Sequence, residues 1–328
     1  MRFILAALML ALTPAPLLAA CEGTDLIKSM PLEERMALRA RATAQPHDVG
    51  LLHRATRGDT VITWFGTYHF QHDLTQAHLE AVKPFIETAE AVYLEVSTDD
   101  TARMQTMLAD DPSLMFITEG PTLPDLLGED DWQTYRSAMI DRAFPGFMAA
   151  KFKPMWAAMM LGVGPCEARA GAMTGQGIDE RIGLYAAQVG NTSQSLEDFT
   201  TLLTMLDSFP LDEQLDMIRL FFTYDLDADD MAYTLRERYL AQDIAMIWEF
   251  SEKISEDLGG SDALEDFAKF EEMLLTRRNI AWVELLLERA EGKQVFAAVG
   301  AAHLPGEVGV LHLLEQEGFA IEMLPFEP

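Results

Sequence analysis

The stretch TVITWFGTYHF, Thr60 to Phe70, runs through β-branched and aromatic residues and stops at Gly66-Thr67-Tyr68-His69. The run reads as a strand built for the interior. A glycine at its end has a plain explanation in turn chemistry, since Gly tolerates φ > 0 and a nearby His can cover the strand end. Near the other end of the chain, QVFAAVGAAHLPG, Gln294 to Gly306, repeats the pattern: an apolar strand from Val295 to Val299, then Gly300-Ala301-Ala302-His303. His69 and His303 are too far apart in sequence for a metal motif on one helix, so only a fold can join them.

Working outward, strand 60 to 65 is followed by a loop at 66 to 72, a helix from about Leu74 to Ala89 and the strand AVYLEV, Ala91 to Val96. Asp73 is the expected N-cap of that helix and Pro84 its kink. The C-terminal unit mirrors this order: strand 295 to 299, helix Gly306 to Glu317, Gly318 as the C′ residue, and the strand FAIEML, Phe319 to Leu324. Residues 22 to 56 read as helix-like, with Leu32, Met36 and Ala40 on one face and a loop at Pro46. Between the two units, residues 100 to 290 carry amphipathic runs such as LEDFTTLLTMLDSF and EEMLLTRRNIAWVELLLERA, broken at Gly259-Gly260-Ser261. The fold class is therefore α/β: N- and C-terminal β-α-β units form one sheet, split in sequence by a large helical insertion at 100 to 290. No repeat of solenoid period is evident, and the 19 methionines fall on apolar faces where core filling is their ordinary use.

Composition excludes several classes. With 49% hydrophobic and 23% charged residues the chain is an ordinary globular mixture, which excludes disorder. Its 53 Asp and Glu against 24 Lys and Arg give a net charge of -29, which repels phosphate backbones and argues against nucleic acid. Charged partners should be cations or metals. Residues 1 to 20 read as a removed signal peptide, with Arg2, an apolar run interrupted by Pro14 and Pro16, and the small residues Ala19 and Ala20. The expected product is an exported, periplasmic chain, with a single domain over residues 21 to 328. Cys21 carries two readings: Leu18-Ala19-Ala20-Cys21 looks like a lipobox, whose acylated cysteine would be the one route to a membrane anchor, while the second cysteine, Cys166, offers a disulfide that pins the new N-terminus. The bridge is the favoured reading.

Ligands of open α/β sheets bind beyond the carboxyl ends of the strands. His69, Glu95 and His303 stand at such positions and converge if their strands are parallel neighbours. Two imidazoles and a carboxylate form a common divalent-metal set with room for water and substrate. Each residue also has a bland reading: Glu95 as the outward residue of a half-buried strand, either histidine as a strand-end cap. His47, His53, His78 and His312 lack the glycine context, and His72 has the better claim to a place beside the site.

GTYH and GAAHLPG, with the glutamate closing the strand between them, resemble the TraB/GumN family, whose animal relatives are the TIKI metalloproteases and whose fold is similar to erythromycin esterase and ChaN-type haem-binding proteins. The resemblance extends to GLLHRATRGDTVITWFGTYH, to GQGIDERIGLYAAQVGNTSQSLE with Gly177, Asp179 and Glu197, and to Arg278-Asn279. It implies a metal-dependent hydrolase in which His69, His303 and Glu95 are ligands or catalytic residues, with manganese or cobalt preferred. Arg278 then reads as an oxyanion stabiliser or, more commonly for a helical arginine, as half of an ion pair. Asp179 reads as an N-cap in preference to a partner of a histidine.

The expected function is an exported metallohydrolase, a peptidase acting on peptide or protein substrates with manganese, cobalt or zinc. Gly66 and Gly300 would let the backbone turn and the ion or substrate approach. The alternatives are a non-catalytic haem- or metal-binding envelope protein using the same crevice, and a structural envelope protein acting through its acidic helical surface.

Overall fold

The computed structural model describes residues 21–172, 177–223 and 226–328. The signal peptide expected over residues 1 to 20 lies outside the described residues. Six strands form one sheet: β1 (Leu52–Arg57), β2 (Thr60–Thr67), β3 (Ala91–Leu94), β4 (Ser193–Ser195), β5 (Gln294–Gly300) and β6 (Ala320–Met323), in the order β4-β3-β5-β2-β1-β6. β5 is parallel to both β2 and β3, and β3 is parallel to β4, while β1 pairs antiparallel with β2 and β6. The C-terminal strand β5 thus slots between the two strands of the N-terminal unit, and the helical region between them adds only the short edge strand β4 to the sheet.

β2 and β5 are buried along almost their whole length because helices cover both faces of the sheet. On one face Phe65, Val92, Phe296 and Ala298 meet Leu79, Val82 and Ile86 of the Thr75–Thr88 helix and Ile178 and Ile182 of the Ile178–Gln188 helix. On the other, Trp64, Tyr93, Ala297 and Val299 meet Trp282, Val283 and Leu286 of the Arg277–Arg289 helix and Leu311 and Leu314 of the Val310–Gln316 helix. The alternation of Trp64 with Phe65 and of Phe296 with Ala297 is the two-residue period of a strand. A separate core of Leu123, Tyr135, Met139, Leu161 and Ile218 holds the helical region together.

Several expectations are corrected. β1 lies within the segment read as helical; its LHRATR carries arginines because only one of its neighbours is a deeply buried strand. β4 is a short edge strand of Ser-Gln-Ser inside the helical region, with no apolar signal to announce it. Asp73 does not cap its helix: Leu74 holds that position, and the first-turn partners are His72 and Thr75. On the Leu32–Ala44 helix Leu32 and Met36 are exposed, and the docked face is Leu38 and Ala42 against Ala245, Met246 and Phe250. The Ile244–Glu271 helix runs through Gly259-Gly260-Ser261 without a break, since about 1 kcal/mol per glycine is too little to interrupt so long a helix. Gly318, as expected, is left-handed at φ 84° after its helix. Cys21 and Cys166 are bridged, which removes the thiol that acylation would need.

Candidate active site

Strand register brings three sequence-distant side chains to one edge. Thr67 lies opposite Gly300 in the β2–β5 pair and Leu94 opposite Ala298 in the β3–β5 pair, so the three strands end at nearly one level. His69, Glu95 and His303 all come next, at the carboxyl edge of the sheet, the ligand-binding edge of open α/β folds. A Cβ added to Gly300 would lie 3.2 Å from both Glu95 Oε1 and His69 Nε2, and 3.5 Å from His303 Cδ2. All three expected site residues thus border one space above Gly300.

His303 sits in a single turn, Ala301–His303, with 5% of its side chain exposed. Its Nδ1 is 2.6 Å from Asn279 Oδ1, and the Asn279 amide is fixed by donating to Val308 O at 2.9 Å. An amide oxygen only accepts, so Nδ1 carries the proton and Nε2 keeps its lone pair. Burial pushes the pKa of His303 down to about 3; Glu95 opposes the shift, and Arg278 and His69 reinforce it. His69 is at the mouth of the cleft, with 58% of its side chain exposed, and its Nδ1 is 3.1 Å from Asp179 Oδ2. The Asp179 carboxylate raises the pKa of His69 to about 9 against the effect of burial, a pull that solvent at this exposed ring tempers. Both imidazoles are therefore held through Nδ1, and each turns Nε2 to the shared space, as a lone pair in His303 and as an N–H in His69.

Glu95 accepts the Gly300 N–H at Oε1 and Arg278 Nη2 at Oε2, each at 2.6 Å. Burial alone would raise its pKa, but His303, His69, Arg278 and the Gly300 N–H bring it down to about 2, so Glu95 is an anion. Arg278 is the hub. Its Nε reaches Glu197 at 3.0 and 3.1 Å, its Nη2 also binds Glu197 at 2.5 Å, and its Nη1 reaches Leu274 O at 3.1 Å and His303 Nε2 at 3.3 Å. The guanidinium lies over the Trp282 ring at 4.7 Å. Burial pushes the Glu197 pKa up, and Arg278 opposes that. Of the two readings of Arg278, the structure has the ion pair. A π turn, Glu272–Thr276, ends two residues before it. Inserting one residue into the helical repeat rotates the next turn by about 100°, which turns Arg278, Asn279 and Trp282 toward the sheet.

The glycines divide. Gly300 has φ −48° and ψ 132°, open to any residue, so its role is space and not a turn. Gly66 is packed against Leu304 and Ala301, where a Cβ would come within 2.9 to 3.1 Å; it fits strand to loop and does not border the cleft. Asp179 is not the N-cap expected of it. Gly177 caps that helix because a Cβ there would stand 2.1 Å from His69 O, which frees Asp179 to bind His69 and to accept from Thr67 Oγ1 at 2.5 Å. His72 belongs to an aromatic group with Tyr68, His78 and Tyr239. Asn279, Glu197 and Asp179 were visible only as members of the stretches that carry the resemblance; no local pattern assigns them these contacts.

The donor chemistry fits a divalent ion in one respect and falls short in another. Metal-bound histidines hydrogen-bond through the second ring nitrogen to a carboxylate or amide, as both do here. Yet His303 Nε2 faces Arg278 Nη1 at 3.3 Å, and among the described residues no group of three His, Cys, Asp or Glu side chains is placed to hold an ion.

Comparison with curated proteins finds no match. The family model described as TraB/PrgY/gumN matches residues 51–323, from the start of the sheet to its last strand, and on that coverage the chain belongs to the TraB/PrgY/gumN family.

Proposed function

We propose that this chain is an exported hydrolase, a peptidase in its substrate class, whose working site is the His69, Glu95 and His303 cleft with a manganese, cobalt or zinc ion as cofactor. The carrying observation is that two histidines from opposite ends of the chain are both fixed at Nδ1, by Asp179 and Asn279, and border one space above Gly300 beside an ionised glutamate. A bound ion would supply a water of lowered pKa and a Lewis acid for a carbonyl. His69 Nε2, Glu95 and His303 Nε2 are the groups that would hold it. Asp179 and Thr67 orient His69, Asn279 orients His303, and Arg278 with the Gly300 N–H keeps Glu95 charged. A neutral His303 and an anionic Glu95 are the protonation states that metal ligation requires, whereas His69, whose pKa Asp179 raises to about 9, would have to release its Nε2 proton on binding.

A shallow surface depression of about 590 Å³ lies beside the Thr98–Asp110 helix, lined by Ala102, Arg103, Met107 and Phe199. The Cys21–Cys166 bridge supports export, since such bonds persist in oxidising compartments. Mass spectrometry of the secreted chain should find Cys21 near the mature N-terminus and unmodified by lipid.

The test is a peptide-library cleavage screen of chelator-stripped protein with manganese, cobalt and zinc added singly. Cleavage that needs one of these ions and disappears in Glu95→Gln is expected. A haem absorbance band with no metal-stimulated cleavage would turn the assignment to a binding protein.

A further inference from the structure

The guanidinium of Arg278 stands between the groups that the proposed ion would need. Its Nη2 holds Glu95 Oε2 at 2.6 Å and its Nη1 faces the lone pair of His303 Nε2 at 3.3 Å. A lone pair engaged by a guanidinium is not free for an ion, and two cations drawn to one carboxylate in a buried cleft repel each other strongly. Arg278 is also anchored elsewhere. Glu197, with 10% of its side chain exposed, takes both Nε and Nη2.

We propose that Arg278 is a resident counter-cation that exchanges with the divalent ion: it closes the metal-free site by occupying Glu95 and His303, and retires onto Glu197 when the ion is taken up. The proposal rests on the metal-site reading above. It gives the second buried carboxylate a purpose, because Glu197 keeps the arginine paired in both states and so avoids an isolated buried charge. It also accounts for a donor set of the right chemistry that does not close into a ligand cluster. The adjoining π turn, whose Leu274 carbonyl receives Nη1, marks the place where the helix departs from regular geometry, as π turns often do at functional sites.

Trp282 offers a readout independent of activity, since its ring lies 4.7 Å from the guanidinium and 4.5 Å from the His303 ring. Chelator-stripped wild type, Trp282→Phe and Arg278→Met are each titrated with zinc chloride, by tryptophan fluorescence and by calorimetry. Zinc should change the emission of wild type, leave that of Trp282→Phe nearly unchanged, and bind Arg278→Met about tenfold more tightly, the equivalent of about 1.4 kcal/mol. Zinc affinity in Arg278→Met equal to or weaker than wild type overturns the exchange. So does an emission change that survives in Trp282→Phe, a result available even if Arg278→Met fails to fold. Binding that is lost in His69→Ala and His303→Ala but never touches Trp282 defeats the exchange alone; absence of zinc binding to wild type defeats the metal site with it.

Discussion

Gly300 shows how little separates a working cleft from a filled one. Its backbone angles suit alanine, so Gly300→Ala should fold, with a melting temperature within a few degrees of wild type. The new methyl would press on Glu95 Oε1 and His69 Nε2 at 3.2 Å, and zinc affinity should fall about 10- to 100-fold, the range seen when metal ligands lose their proper setting. Calorimetry on the folded variant checks it; unchanged affinity would mean that the space above Gly300 is not the binding position. The residue-level chemistry was legible in sequence where a strand ended on glycine and histidine, because strand signals and glycine are both local. It was illegible for Asp179, Asn279 and Glu197. An aspartate at a helix start satisfies capping rules equally well, and only the approach of His69 O to Gly177, set by the fold, decides against the cap.

At the level of elements, the central strand and the edges of the molecule should respond very differently to truncation. Phe296 is fully buried in β5, between the strands that carry His69 and Glu95. Phe296→Ala should lower the unfolding free energy by about 3–5 kcal/mol, and Phe147→Ala, at a side chain 76% exposed, by less than about 0.5 kcal/mol. Urea unfolding of both variants measures the contrast. β2 and β5 could be read from sequence because burial on both faces demands unbroken apolar runs. β1 and β4 could not: one carries two arginines in six residues, the other is Ser-Gln-Ser, and both pair because a neighbouring strand edge recruits them. The Gly259-Gly260-Ser261 break failed for the converse reason, that a weak local preference yields to a long continuous helix.

For the whole molecule, the balance of charge and burial sets a pH limit. His53, His72 and His78 all have pKa values lowered to about 4, chiefly by burial, with His47 acting on His53, and His78 and Arg236 on His72. The unfolded chain protonates these rings near 6.5 and the folded chain only near 4, so the folded chain binds fewer protons in that window. Stability contributed by the neutral rings is complete above about pH 6.5 and is lost as pH falls toward 4. Glu167 and Glu197, whose pKa values burial raises, work in the opposite direction. Urea unfolding should therefore show lower stability at pH 5 than at pH 7.5. The drop should shrink in His78→Phe, which keeps an aromatic ring that cannot titrate; it gives up the 3.3 Å contact of Nδ1 with Tyr239 Oη, whose hydrogen bond to Gly66 O at 3.2 Å remains. An undiminished drop in that variant would remove His78 from the explanation.

The central claim is that remote histidines share one ion. Metal content of protein purified without chelators, measured by elemental analysis alongside folded His69→Ala and His303→Ala, tests it most directly. About one equivalent of manganese, cobalt or zinc per chain in wild type, and essentially none in either variant, is the expected result. Metal retained at full stoichiometry when either histidine is gone would contradict it.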